Sequence, residues 1–89
     1  MQNNDLPVIH NIEQKSFEVH LDSHIAELNY RLSEETITFT HTRVPSALEG
    51  RGIGSLLAGT GLKYAREKNL KVQSLCWFVE KYMQRHPNE

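Results

Sequence analysis

A change of period near residue 50 constrains the fold of this chain more than any other feature. Upstream, apolar residues recur at every second position; downstream, they recur at every third and fourth. Three glycines at alternate positions, Gly50, Gly52 and Gly54 in LEGRGIGSLLAG (48–59), mark the switch. Half-buried strands need the first period and an amphipathic helix needs the second. The chain therefore reads as a meander of strands that turns through a tight loop into a helix.

The strand half has three runs. Phe17, Val19 and Leu21 alternate with Glu18 and His20, and Asp22-Ser23 supplies a turn. Ala26, Leu28, Tyr30 and Leu32 alternate again up to the turn residues Ser33-Glu34-Glu35. TITFTHT (36–42) then puts Ile37, Phe39 and His41 on one expected face and its threonines on the other. Val44 breaks the phase and Pro45 cannot continue a ladder, so this run should bulge or end near Arg43. Residues 1–14 carry no period and are expected to fray or to form a short edge strand.

Beyond the glycines, Ile53, Leu56, Leu57, Thr60, Gly61, Tyr64 and Ala65 predict one helical face, with Asn69 as a left-handed stop. LKVQSLC (70–76) reads as a fourth strand with Leu70, Val72, Ser74 and Cys76 on one side. A final helix should turn Phe78, Val79, Tyr82 and Met83 inward and stop before Pro87. A strand–helix–strand crossover predicts that the third and fourth strands are parallel, with a right-handed connection. The expected class is α+β: a compact antiparallel meander, a glycine loop, a helix, a parallel strand and a C-terminal helix, in a single domain over 1–89.

Composition narrows the partners. Ten Lys and Arg against eleven Asp and Glu give a formal charge of −1. A grip on nucleic acid or anionic membrane needs a basic surface, so neither is expected. One cysteine cannot form an internal disulfide. MQNNDLP has no apolar signal core, and no apolar run reaches the ~20 residues of a membrane span. The expected location is cytoplasmic. His10, His20, His24, His41 and His86 show no metal-ligand spacing with one another or with Cys76, so no metal is expected.

A strand, a glycine-rich loop and a helix bring free N–H groups and a positive helix end to one spot. That arrangement suits either a plain turn or an anion cradle. A P-loop is excluded because Gly54-Ser55 lacks the intervening lysine, and the dinucleotide fingerprint would need glycine at 55 or 57.

Further motifs extend the pattern: His41-Thr42-Arg43-Val44-Pro45, then Gly50 through Gly54, Cys76-Trp77-Phe78-Val79, Tyr82 and His86-Pro87. In that order they resemble the GNAT superfamily of acyl-CoA N-acyltransferases, in its branch of very small acetyltransferases. The likeness runs from about residue 15 to residue 87. GNAT proteins carry [Q/R]-x-x-G-x-[G/A] where coenzyme A pyrophosphate binds; this chain has the glycines, with Glu49 where Gln or Arg is preferred. The resemblance implies acetyl-CoA as cosubstrate. The strand backbone at Thr42, Arg43 and Val44 would pair with the pantetheine arm. Amides of Arg51, Gly52, Ile53, Gly54 and Ser55 would face the pyrophosphate. The Arg51 side chain would either add charge there or remain a solvated loop residue.

Three side chains are candidates for the chemistry. His41 would be either a core-edge histidine or, with its near-neutral pKa, a base for an ammonium acceptor. Tyr82 sits on the element where many GNAT proteins place the tyrosine that protonates the leaving thiolate; a packed tyrosine is the alternative. Cys76 would line the thioester end of the tunnel, act as a nucleophile, or be a small buried hydrophobe. The implied function is transfer of acetyl from acetyl-CoA to an amine, small molecule or protein. The alternatives are a non-catalytic coenzyme A-binding module and an interaction protein that has kept only the fold. Larger GNAT proteins build the acceptor site with two extra helices for which this strand-to-strand path leaves no room. Oligomeric state stays open.

Overall fold

In the computed structural model, which describes residues 6–87, five strands form one sheet in the order β1-β2-β3-β4-β5. They are β1 (Ile9–Asn11), β2 (Ser16–Leu21), β3 (His24–Ser33), β4 (Thr36–Arg43) and β5 (Lys71–Ser74). Helix α1 (Ile53–Glu67) joins β4 to β5, and α2 (Trp77–Arg85) follows β5. The mixed α+β architecture is the expected one. Residues 1–5, part of the stretch expected to fray, lie outside the described residues; β1 is the expected edge strand.

Turn chemistry explains the meander. Asp22 and Ser23 both take positive φ, 52° and 65°, between the closing pair Leu21 and His24. That backbone matches the right-handed twist of the strands it joins. Glu34, at φ 51°, closes the next hairpin beneath the pair Ser33 and Thr36. β4 and β5 pair in parallel from Thr36–Lys71 to Phe39–Ser74, as a helical crossover requires.

Both helices share a single core with the sheet. Phe17, Val19, Ala26, Leu28, Tyr30, Ile37 and Phe39 rise from the strands to meet Ile53, Leu57, Ala58, Leu62 and Ala65 of α1 and Val79 of α2. Full burial of each large side chain contributes on the order of 1.5–3 kcal/mol. The buried stripe of α1 is rotated from the expected one. Ala58 and Leu62 are inside, whereas Leu56, Thr60 and Tyr64 are half-exposed. The cause is close approach at Gly61, where a Cβ would stand 2.9 Å from the Phe39 ring and 3.2 Å from Leu28. Asn69, at φ 56°, ends α1 as expected: its N–H bonds to Arg66 O and that of Leu70 bonds to Ala65 O, satisfying the last carbonyls.

One expectation is overturned in β4. Asn29 pairs with His41 but Tyr30 pairs with Phe39, so Thr40 is an extra residue in the ladder. This bulge reverses the alternation. His41 does not join Ile37 and Phe39 but is exposed on the opposite face, while Thr42 turns to the helix side, across from buried Leu28. His41 is therefore not a core-edge histidine.

Candidate functional site

The bulge sets the geometry of a cleft. Phe39 is the last β4 residue paired with β5, and Leu75 N–H bonds back to Phe39 O at 2.8 Å. From there β4 runs on to Arg43 with β3 alone, and its other edge has no strand partner. The chain of β5 turns away into α2. Thr42 spans the gap: its hydroxyl lies 3.2 Å from the Cys76 thiol at the N-cap of α2. Ser74 holds that corner, accepting from Cys76 N–H at 3.1 Å and donating to Cys76 O at 2.8 Å.

The glycine loop forms the far wall. Gly52, at φ 73°, is the N-cap of α1 and has no side chain to cap it. Leu56 N–H is the first to bond within the helix, to Gly52 O at 3.0 Å. The N–H groups of Ile53, Gly54 and Ser55 therefore have no helical acceptor. Together with the positive helix end they leave hydrogen-bond donors and partial positive charge facing the loop. Gly54 is required for a different reason: a Cβ there would stand 2.9 Å from the Phe78 ring, so glycine is what lets α2 close over the start of α1.

Between these walls lies an open cleft of about 400 Å³. Thr42, Val44, Gly52, Ile53, Gly54 and Ser55 line it, six of the residues expected to hold a coenzyme. Arg43 and Arg51 do not line it. Arg43 Nε reaches Glu27 on the neighbouring strand at 3.5 Å, and Arg51 Nη1 reaches Asp22 in the first hairpin turn at 3.5 Å. Each is flanked in sequence by residues that do line it, Thr42 and Val44 for Arg43, Gly50 and Gly52 for Arg51. Leu48, Glu49, Gly50 and Phe78 complete the lining. Glu49 has a position a motif reading can find; Leu48 and Phe78 look like plain core residues until the loop and α2 meet.

The three candidate catalytic side chains do not converge on one point. Cys76 is buried beside Thr42 and is not part of the cleft lining. Tyr82 lies further along α2, its ring stacked on His86 at 4.1 Å, in a second cleft that shares Ser55 and Phe78 with the first. His41 stands on the outer face of the sheet. Among the described residues, no three His, Cys, Asp or Glu side chains gather to hold a metal. Nor is any described helix long and apolar enough to cross a membrane.

The displaced pKa values lie elsewhere. On β1, half-buried His10 packs against Phe17, Tyr30 and Tyr64, with Nε2 2.6 Å from the Tyr30 hydroxyl. Burial lowers its pKa and raises that of Tyr30. On the outer face, hydrogen bonds from Ser16 and His20 hold Glu18 below the usual carboxylate range.

A family model described as GCN5-related N-acetyl-transferase matches residues 16–89. The chain belongs to the GCN5-related N-acetyltransferase family. Its curated relatives include Protein NATD1 of Xenopus tropicalis, 34% identical over 83 residues, which cover 90% of this chain and 76% of that protein. Protein NATD1 of Mus musculus is 33% identical over 89 residues, covering 97% of this chain and 81% of the relative. Among solved structures, an NMR structure of a GCN5-like candidate N-acetyltransferase from Staphylococcus aureus superposes with a TM-score of 0.72. It is 28% identical, over 96% of this chain and 83% of that one. The splayed strands and glycine loop thus belong to an acetyltransferase family fold.

Proposed function

We propose that this GCN5-related protein is an N-acetyltransferase that takes acetyl from acetyl-CoA and delivers it to an amine. The observation that carries this reading is the meeting of an unpaired β4 edge with three free helix-start amides in one cleft. A pantetheine arm presents amide groups in a row and needs a strand edge; a pyrophosphate needs unpaired N–H donors and room against the backbone. The cleft offers both, and Gly50 would meet nothing within 4 Å even with a Cβ.

Bound acetyl-CoA supplies an activated acetyl thioester. In this reading the backbone at Thr42, Arg43 and Val44 holds the arm, and the N–H groups from Gly52 to Ser55 hold the pyrophosphate. The Tyr82 hydroxyl gives a proton to the departing thiolate, and the exposed imidazole of His41 takes one from an ammonium acceptor. Cys76 steadies the α2 corner through Thr42. Glu49, a carboxylate lining the cleft, favours a second reading in which the coenzyme binds but is not turned over.

Two measurements together test the proposal. Coenzyme A at 100 times its dissociation constant should raise stability by about 2.7 kcal/mol, read as a shift in thermal melting. Acetyl-CoA incubated with a panel of amines should yield free thiol and an acetylated amine. A melting shift without turnover selects the binding module; no shift at millimolar coenzyme A removes both readings.

A further inference from the structure

Among the described residues, one buried side-chain oxygen or nitrogen has no hydrogen-bond partner: Oδ1 of Asn29, in the middle of β3. Such an atom is rare in a native fold and calls for an explanation. Its surroundings follow from the strand register. Leu28 and Tyr30 on either side are buried in the core, so Asn29 lies on the outer face, away from the helices. Directly across from it stand Ser16 on β2 and His41 on β4.

Ser16 is already committed. It is 1% exposed, and its hydroxyl donates to Glu18 Oε2 at 2.6 Å. The ring of His41 is exposed and has no hydrogen bond or ion pair among the described residues. It stands there only because of the bulge: without the extra residue Thr40, His41 would pair with Leu28 and face the core. Bulges re-aim side chains in this way beside active sites. Directly opposed residues on one sheet face have Cβ atoms about 4.5–5.5 Å apart, a span that an imidazole covers with one side-chain rotation. The carboxylates of this face are engaged elsewhere. Glu27, diagonal to His41, meets Arg43 at 3.5 Å, and Glu18 is bonded by Asn11, Ser16 and His20. Arg31, one residue beyond Tyr30, is exposed and pairs with Thr38.

We propose that Asn29 is a positioning residue for His41, its carbonyl oxygen accepting one ring N–H so that the other ring nitrogen keeps its lone pair for the acceptor amine. A neutral imidazole has one N–H donor and one bare nitrogen, and whatever takes the N–H decides which nitrogen is the base. The bare nitrogen removes a proton from the ammonium, the amine keeps the electron pair, and the charge ends on the imidazolium. The bond to Asn29 is then charge-assisted and strengthens as the proton moves. Asn29 itself neither gains nor loses a proton. Base-orienting bonds are often long before substrate arrives and tighten in the complex. The proposal rests on the reading of His41 as the acceptor's base and supplies the partner that orients it.

NMR titration of the His41 ring in the native chain, Asn29→Leu and Asn29→Asp tests the contact without any turnover. Because the Asn29 oxygen favours the imidazolium, Asn29→Leu should lower the His41 midpoint. A carboxylate in Asn29→Asp should raise it by about one pH unit. Asn29→Leu should melt no earlier than the native chain, since the oxygen it removes has no partner. With acetyl-CoA and a responsive amine, Asn29→Leu should lose about tenfold in kcat at unchanged KM for acetyl-CoA. In a His41→Ala chain the same change should cost nothing further. The acid limb of the Asn29→Asp rate profile should move up with the midpoint. Equal midpoints in the native chain and Asn29→Leu would overturn the proposal, and so would an Asn29→Leu loss that persists without His41. A working enzyme indifferent to Asn29→Leu would remove this inference and leave the acetyl-transfer reading intact. No turnover with any amine would remove that reading and the role of Asn29 with it.

Discussion

The Thr42 hydroxyl and the Cys76 thiol lie 3.2 Å apart, joining β4 to the N-cap of α2 at the point where β4 and β5 separate. The two residues are 34 positions apart in sequence. They meet because the bulge at Thr40 turns Thr42 to the helix side. With Ser74 bracing the same corner, Cys76 has the surroundings of a structural residue. Cys76→Ala should therefore keep most of any acetyl transfer, while Tyr82→Phe should lose more through poorer protonation of the leaving group. Intact-protein mass spectrometry after mixing with acetyl-CoA should show no adduct on Cys76. An adduct that an amine discharges would make it a nucleophile instead.

Gly54 and Phe78 give a prediction about packing. Alanine at 54 gains about 1 kcal/mol of helix propensity but forces its Cβ to within 2.9 Å of a ring carbon. Overpacking of that kind costs about 1–3 kcal/mol, so Gly54→Ala should be destabilising on balance. Shortening the ring with Phe78→Leu in the same chain should recover part of the loss. Urea melts of the single and double variants read the coupling; additive losses would mean that the two sites do not press on each other.

Glu49 lines the cleft where the family prefers a Gln or Arg. Removing its charge should tighten coenzyme A binding by about 0.5–1 kcal/mol, the scale of an exposed ionic contact. The gain from Glu49→Gln should fade as salt rises. Calorimetric titration at two ionic strengths measures both, and equal affinities at low salt would place the carboxylate away from the bound phosphates.

His10 makes stability depend on pH. Its pKa in the fold is below 6.5, so the unfolded chain takes up a proton before the folded chain does. Stability should thus fall as pH drops from 6.5 toward the folded pKa, and level off below it. Glu18 has its own window lower down: its folded pKa is depressed, so its contribution is lost as pH falls through the carboxylate range. His10→Gln, compared with the native chain at pH 7.5 and pH 5.5 in denaturant melts, should flatten the upper slope alone. An identical slope in both chains would assign the loss to other groups.

The sequence by itself determined everything that depends on neighbours along the chain. Alternation in FEVHL and TITF is enough to make strands because side chains there have a period of two. Asp22-Ser23 and Asn69 occupy left-handed positions that short polar residues tolerate, so the hairpin and the end of α1 were legible locally. The glycine loop was legible for the same reason, since glycine reaches a positive φ at no steric cost, as Gly50 and Gly52 both do.

Tertiary structure decided what depends on pairing. His41 was expected beside Ile37 and Phe39, and alternation alone would put it there. One unpaired residue, Thr40, turned it out to solvent and brought Thr42 in, because a strand follows its partner's register rather than its own period. Arg51 and Arg43 likewise found carboxylates on segments distant in sequence, Asp22 and Glu27, and left the cleft walled by backbone amides. No local pattern encodes such choices, since each depends on which surface arrives opposite once the sheet and helices close on one core.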